Sequence, residues 1–213
     1  MENPLCPPAD PGFRLIETML WTPEDGVRHA ARHVRRLQRT ARALGIVPGD
    51  VAAVIAGLQS TGPLRVRLTV DINGAIDISQ SAFTPLPADT LWRVALHPER
   101  LRADDPWLRV KTTRRALYDR ARLDLPKGVD EWIFLNTGDA LCEGTITNIY
   151  ARHGGVLHTP PRACGCLPGI GREVLIGQGR AKPARLRRAD LESGFFVGNA
   201  LRGLIRAELV AVS

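Results

Sequence analysis

The chain has 213 residues, 44% of them hydrophobic and 24% charged, with a formal net charge of +7 and a pI near 9.9. That length holds one large domain or two small ones, and the composition excludes disordered and collagen-like classes. No apolar run is long enough for a membrane-spanning helix, and the opening "MENPLCPPADPGFRL" lacks a basic patch followed by an apolar stretch. Neither a membrane anchor nor a signal peptide is therefore expected, and a cytoplasmic location follows by default.

The excess charge is almost entirely arginine, since Lys111, Lys127 and Lys182 are the only lysines. A basic balance suits nucleic acid or an acidic small molecule. The arginines are spread along the chain, aromatics make up only 5%, and no nucleic-acid module motif occurs, so the small molecule is favoured. Cys6, Cys142, Cys164 and Cys166 form no framework and no metal-ligand spacing, which points to reduced thiols and no zinc.

"FRLIETMLW" predicts a strand. In "GVRHAARHVRRLQRTARALGI", Val27, Ala30, Val34, Leu37, Ala41 and Leu44 recur at helical spacing and Gly45 closes the helix. "PGDVAAVIAGLQSTG" predicts a second helix capped by Asp50. Leu64, Val66, Leu68 and Val70 alternate in a hairpin that turns at Asn73-Gly74. The proline-rich "FTPLPADT" is the best linker candidate. After it come "LWRVALHPERL", a basic segment "RVKTTRRALYDRARLDLP", and a strand pair, "EWIFLN" and "ALCEGTITNIYARH", joined at "TGD". "GVLHTPP" is a short strand and "GCLPGIGREVLIGQG" a glycine-rich loop entering a helix. "FFVGNALRGLIRAELV" reads as a strand, a turn and a final strand or helix. Strands interleaved with a few helices predict an α+β fold in two subdomains, 1–86 small and 87–213 larger.

Five stretches carry candidate chemistry. Glu143 stands among apolar strand positions, where it is either an exposed strand end or an acid facing a buried cation. In "LPGIGRE", Gly169, Ile170 and Gly171 precede a helix, an arrangement that leaves backbone N–H groups for an anion such as phosphate or is simply a tight loop. Gly198, Asn199 and Ala200 form a second small-residue turn that could add N–H groups and an amide. Arg36 could fork onto phosphate oxygens or be a solvated helix residue. Lys111, ahead of "TTRR", is a surface lysine or, if desolvated, an amine able to form a Schiff base with an aldehyde.

"HVRRL", "KTTRRALYDRA", "DEWIFLN", "LCEGTITNIY", "LHTPP", "GCLPGIGRE" and "GNALRG", in this order over about residues 13–205, resemble class IV aminotransferases, the fold-type IV pyridoxal-phosphate enzymes. The pairing of "KTTRR" and its downstream tyrosine with "ETMLW" looks most similar to 4-amino-4-deoxychorismate lyases. The resemblance implies two subdomains with the cofactor site between them, and a homodimer. It implies Lys111 as Schiff-base lysine and proton shuttle, and Glu143 as partner of the pyridine nitrogen. Arg36, the Ile170 and Gly171 backbone, and Asn199 with Ala200 would hold the phosphate. An anionic Glu143 would keep the ring nitrogen protonated, so that the ring accepts electrons.

The implied reaction is release of 4-aminobenzoate and pyruvate. The alternatives are a branched-chain or D-amino-acid type transaminase, and a non-catalytic basic binding protein on the same fold. The expected substrate is a small carboxylated amine that Arg14, Arg114, Arg115 or Arg202 could meet, with no nucleic-acid or membrane partner. The chain departs from the family in lacking room for the whole N-terminal hairpin and an aromatic residue just before Glu17. Tyr118 also stands two residues beyond the tyrosine of branched-chain transaminases.

Overall fold

The structure is a computed structural model describing Leu5 and residues 10–212; Cys6 and most of the segment read for a signal peptide lie outside the described residues. The chain packs as two compact units, Met1–Pro85 with Val110–Arg114, and Leu86–Arg109 with Arg115–Ser213.

The first unit holds β1 (Leu15–Thr22), β2 (Gly26–Val27), α1 (Ala30–Ala43), α2 (Val51–Ala56), β3 (Leu64–Val70) and β4 (Ile76–Ala82). Its sheet has the antiparallel order β2-β1-β3-β4. The alternation in β3 puts Val66, Leu68 and Val70 fully inside, as its period of two requires. Helix α1 buries Leu37 and Ala41, together with His33, Arg36 and Thr40. It starts later than the apolar spacing predicts. Gly26 and Val27 pair instead with Thr22 and Trp21, and His29 takes a left-handed conformation, φ 59°, before the first turn. Gly45 closes the helix at φ +69°, where glycine is preferred. Asp50 caps α2 by accepting from the Ala53 N–H at 2.9 Å. The β3–β4 connection is wider than a two-residue turn because the Asp71 carboxylate gathers the N–H groups of Asn73 and Ala75.

The arginines are less spread out in space than in sequence. Arg32, Arg35, Arg39 and Arg42 recur every three or four residues along α1, on one face of a helix that carries no acid.

The second unit holds β5 (Leu91–Leu96), α3 (Ala116–Leu123), β6 (Glu131–Leu135), β7 (Leu141–Gly144), β8 (Asn148–His153), β9 (Val156–Thr159), α4 (Ile170–Gly177), β10 (Ala181–Pro183), β11 (Phe195–Asn199) and β12 (Gly203–Leu209). Its eight-stranded sheet runs β10-β9-β8-β11-β12-β5-β6-β7. The last element of the chain is thus a strand. One apolar core is built from Val94, Ile133, Leu141, Ile149, Val197 and Ile205, among others. A second includes Ala121, Trp132, Phe134 and Cys142, with Tyr118 packed against it. "ALCEGTITNIYARH", expected as one strand, breaks at Thr145–Thr147 into β7 and β8, which are not neighbours in the sheet. Cys142, Cys164 and Cys166 are buried free thiols. Among the described residues no helix is long and apolar enough to cross a membrane, and no group of three or more His, Cys, Asp or Glu could hold a metal ion.

Candidate active site

The break after β7 is built around a second acid that the sequence reading did not single out. Glu131, at the start of β6, is completely buried. Its carboxylate accepts from the Thr145 N–H and hydroxyl, the Ile146 N–H at 3.2 Å and the Thr147 hydroxyl at 3.0 Å, with Arg122 at 3.5 Å. Burial pushes this carboxyl up, against the pull of the Thr145 hydroxyl, Arg122, Thr147 and the Ile146 N–H. Four donors of the turn are thus satisfied from one carboxylate, which lets the chain leave the sheet there at little polar cost. Gly144 has to be glycine for the same reason: a Cβ on it would meet the Thr147 hydroxyl and the Glu131 carboxyl.

Glu143 lies on β7 directly before this turn and is only 6% exposed. It is therefore no strand end in water. One carboxylate oxygen accepts from the Tyr118 hydroxyl at 2.7 Å, the other from the Leu167 N–H at 2.9 Å. Both donors are neutral groups that orient the acid. That charge reaches its surroundings. Burial first, and then the Glu143 carboxylate, push the thiols of Cys142 and Cys166 up, that of Cys166 to about 12, and hold the Tyr118 hydroxyl far above its usual range. All three neighbours stay protonated at neutral pH.

Two turns meet nearby in the sequence order expected. Helix α4 begins at Ile170, and its first intrahelical bond is Glu173 N–H to the Gly169 carbonyl, which leaves the Ile170 and Gly171 N–H groups pointing out of the helix start. A Cβ on Gly171 would lie 3.1 Å from the Asn199 carbonyl carbon and 3.2 Å from the Ala200 nitrogen. The helix start and the β11–β12 turn are thus in backbone contact, and the small residues permit it. Asn148 sets the approach to α4: its amide donates to the Leu167 carbonyl at 3.0 Å, and its side chain fills the space where Gly169 has no Cβ. The Asn199 side chain is committed to the turn itself. It donates to the Ile146 carbonyl at 3.1 Å and accepts from the Leu201 and Arg202 N–H groups. What Asn199 and Ala200 can offer an anion here is backbone.

Lys111 and Arg36 belong to the first unit. The Lys111 backbone is pinned to β1: its carbonyl accepts from the Ile16 N–H at 2.9 Å, Thr112 bridges Leu15, the Thr113 N–H donates to the Arg14 carbonyl, and the Thr113 hydroxyl accepts from the Arg14 N–H at 2.8 Å. Lys111 is half-buried. Arg36 is 5% exposed and forks onto Glu17, with Nε to one oxygen at 2.8 Å and Nη2 to the other at 2.6 Å. His33 Nδ1 joins Glu17 at 2.7 Å. Burial alone would raise the Glu17 carboxyl; the Arg36 guanidinium and the hydrogen bonds from His33 and Arg36 outweigh it and hold the group at about 2. Arg36 is accordingly no solvated helix residue but part of a buried ionic cluster.

The family model for amino-transferase class IV matches residues 14–210. The chain belongs to the class IV aminotransferase family. A crystal structure of a provisionally assigned amino-acid aminotransferase from Mesorhizobium loti is 39% identical, with TM-score 0.86, over 93% of this chain and 100% of that one. A provisionally assigned 4-amino-4-deoxychorismate lyase from Legionella pneumophila shares the fold at 21% identity and TM-score 0.78, over 92% and 82% of the two chains. A branched-chain aminotransferase from Thermoproteus uzoniensis does so at 22% and 0.81, over 93% and 78%. No curated protein matches. The fold is that of the fold-type IV enzymes, and the family depends on pyridoxal phosphate.

The residues present suit such a group. Glu143 is a buried acid aimed by two neutral donors, and the α4 start, with its outward Ile170 and Gly171 N–H groups, packs directly against the β11–β12 turn. Sequence reasoning missed Tyr118, Glu131 and Asn148 as contributors. All three stand inside the stretches quoted for the resemblance, "KTTRRALYDRA", "DEWIFLN" and "LCEGTITNIY", but none was assigned a role there.

Proposed function

We propose that this chain is a pyridoxal-phosphate enzyme that works on the amine-bearing carbon of a small carboxylated substrate. The observation that carries the reading is the buried Glu143, held by the Tyr118 hydroxyl and the Leu167 N–H. Bound pyridoxal phosphate supplies an aldehyde that captures the substrate amine and a ring that accepts the electrons left when a proton is removed. Lys111 anchors the aldehyde and moves the proton: its amine takes it from the amine-bearing carbon as general base. Glu143 keeps the ring nitrogen protonated. Arg36, the Ile170 and Gly171 N–H groups, and the Asn199–Ala200 backbone hold the phosphate, by charge and by the helix start. The larger subdomain, 87–213, supplies most of this set.

The reaction we favour is the lyase one, in which 4-amino-4-deoxychorismate gives 4-aminobenzoate and pyruvate in a cytoplasmic homodimer. It rests on the likeness of "ETMLW" and "KTTRRALY" to those enzymes. The commitment of Tyr118 to Glu143, rather than to a substrate-side position, also supports it. Amino-acid transamination is the second reading, favoured by the 39% identity to the Mesorhizobium aminotransferase. Assay of the purified protein with 4-amino-4-deoxychorismate separates them. Release of 4-aminobenzoate and pyruvate in equal amounts is the expected result. Amino transfer from an amino acid to a keto acid, without 4-aminobenzoate, would overturn the lyase reading.

A further inference from the structure

We propose that Tyr118 is a positioning residue that sets the orientation and proton affinity of Glu143, and through it the charge on the ring nitrogen of a bound pyridine cofactor. The inference rests on the functional reading above for the cofactor, but the Tyr118–Glu143 coupling itself is a property of the protein alone.

The geometry carries it. Tyr118 is on α3, Glu143 on β7 and Leu167 on the loop into α4, so three separate elements converge on one carboxylate. Tyr118 has little freedom. Its ring packs edge-to-face on Phe134 with centroids 5.3 Å apart, and the Arg115 guanidinium lies 5.7 Å from its centroid. Arg115 is in turn fixed by Asp119 at 2.7 Å and by the Thr145 carbonyl at 3.1 Å. The hydroxyl is therefore delivered to Glu143 by a packed ring, not by a mobile side chain. The groups around the pair include the thiols of Cys142 and Cys166, which feel the Glu143 charge, and the Arg115 guanidinium, which acts on Tyr118. None of the thiols competes as an acid at neutral pH.

The chemical consequence has a sign. A hydroxyl that donates to a carboxylate stabilises the anion and makes it a weaker base. A proton shared between Glu143 and a ring nitrogen then stays on the nitrogen. Without the hydroxyl, Glu143 becomes the stronger base and draws that proton toward itself, and the ring becomes a poorer electron acceptor. A ring with less positive charge also leaves the nitrogen bound at its aldehyde carbon more basic.

Tyr118→Phe tests this while keeping the ring that packs on Phe134. Two readouts are used. In the cofactor-free protein with carbon-13-labelled glutamate, the Glu143 carboxyl signal should titrate at higher pH in the variant than in the wild type, by about one unit. In the protein loaded with pyridoxal phosphate, the pH midpoint of the visible band should also rise, by about one unit, and kcat should fall about tenfold with KM little changed. Glu143→Gln should raise the band midpoint as well, and adding Tyr118→Phe to it should change nothing further. A Glu143 titration and a band midpoint that Tyr118→Phe leaves unmoved would overturn the proposal. A shifted carboxyl titration in a protein that binds no pyridoxal phosphate would keep the coupling and overturn the cofactor reading instead.

Discussion

A side chain on Gly144 would press its Cβ to within 2.9 Å of the Glu131 carboxyl carbon. That closeness ties the residue after the candidate ring-nitrogen partner to the acid that builds the following turn. Gly144→Ala forces either the Thr147 hydroxyl or the Glu131 carboxyl out of place. The expected cost is about 3 kcal/mol, the range for overpacking a buried site and breaking its hydrogen bonds. Thermal denaturation measures it, and a melting temperature equal to that of the wild type would show that the turn has slack.

Much of this region was legible in the sequence, and part of it was not. The alternation of Val66, Leu68 and Val70, the Asp50 cap and the Gly45 stop are local signals, set by neighbours within a few residues, and each appears where its spacing puts it. The break at Thr145–Thr147 is not local. Its cause is Glu131, fourteen to sixteen residues upstream, and strand propensity in "TITNIY" hides it. The late start of α1 has a similar origin, since Val27 fits a helical stripe but is claimed by pairing with Trp21. At the candidate site, Glu143 could be suspected from its apolar setting. Tyr118 could not, because its link to Glu143 spans 25 residues and depends on how α3 packs.

The contact of Gly171 with the Asn199–Ala200 backbone gives a prediction about ligand affinity rather than stability. Gly171→Ala keeps the helix, since alanine favours it, but pushes the two turns apart by a few tenths of an ångström. Affinity for pyridoxal phosphate should fall about tenfold or more, while the melting temperature of the cofactor-free protein stays close to that of the wild type. Fluorescence titration checks it. Undiminished affinity would remove these turns from the phosphate site.

The buried Glu17–Arg36–His33 cluster makes stability depend on pH in a defined window. Glu17 titrates near its ordinary 4.5 in the unfolded chain and at about 2 in the folded one. Below 4.5 the unfolded chain takes up a proton that the folded chain refuses. The contribution is therefore complete above that pH and lost as pH falls toward 2; it is on the order of 3 kcal/mol. Urea midpoints of the wild type and Glu17→Gln should converge as the pH is lowered from about 6 to about 3. Parallel curves would show that Glu17 does not carry the effect.

The arginine face of α1 should be improvable. Arg32, Arg35, Arg39 and Arg42 repel one another along a helix without acids. Arg35→Glu replaces two repulsions by attractions, to Arg32 and Arg39. The gain should be about 1 kcal/mol, seen as a rise of roughly 2–4 °C in melting temperature that shrinks in high salt. A fall, or a rise insensitive to salt, would contradict the electrostatic account.

The most direct test of the central claim is the visible absorption spectrum after incubation with pyridoxal phosphate and removal of the excess. The wild type should keep a yellow band, and Lys111→Ala, equally folded, should lose it. A wild type without the band, or a band unchanged in Lys111→Ala, would contradict the claim that Lys111 anchors a pyridoxal-phosphate cofactor in this chain.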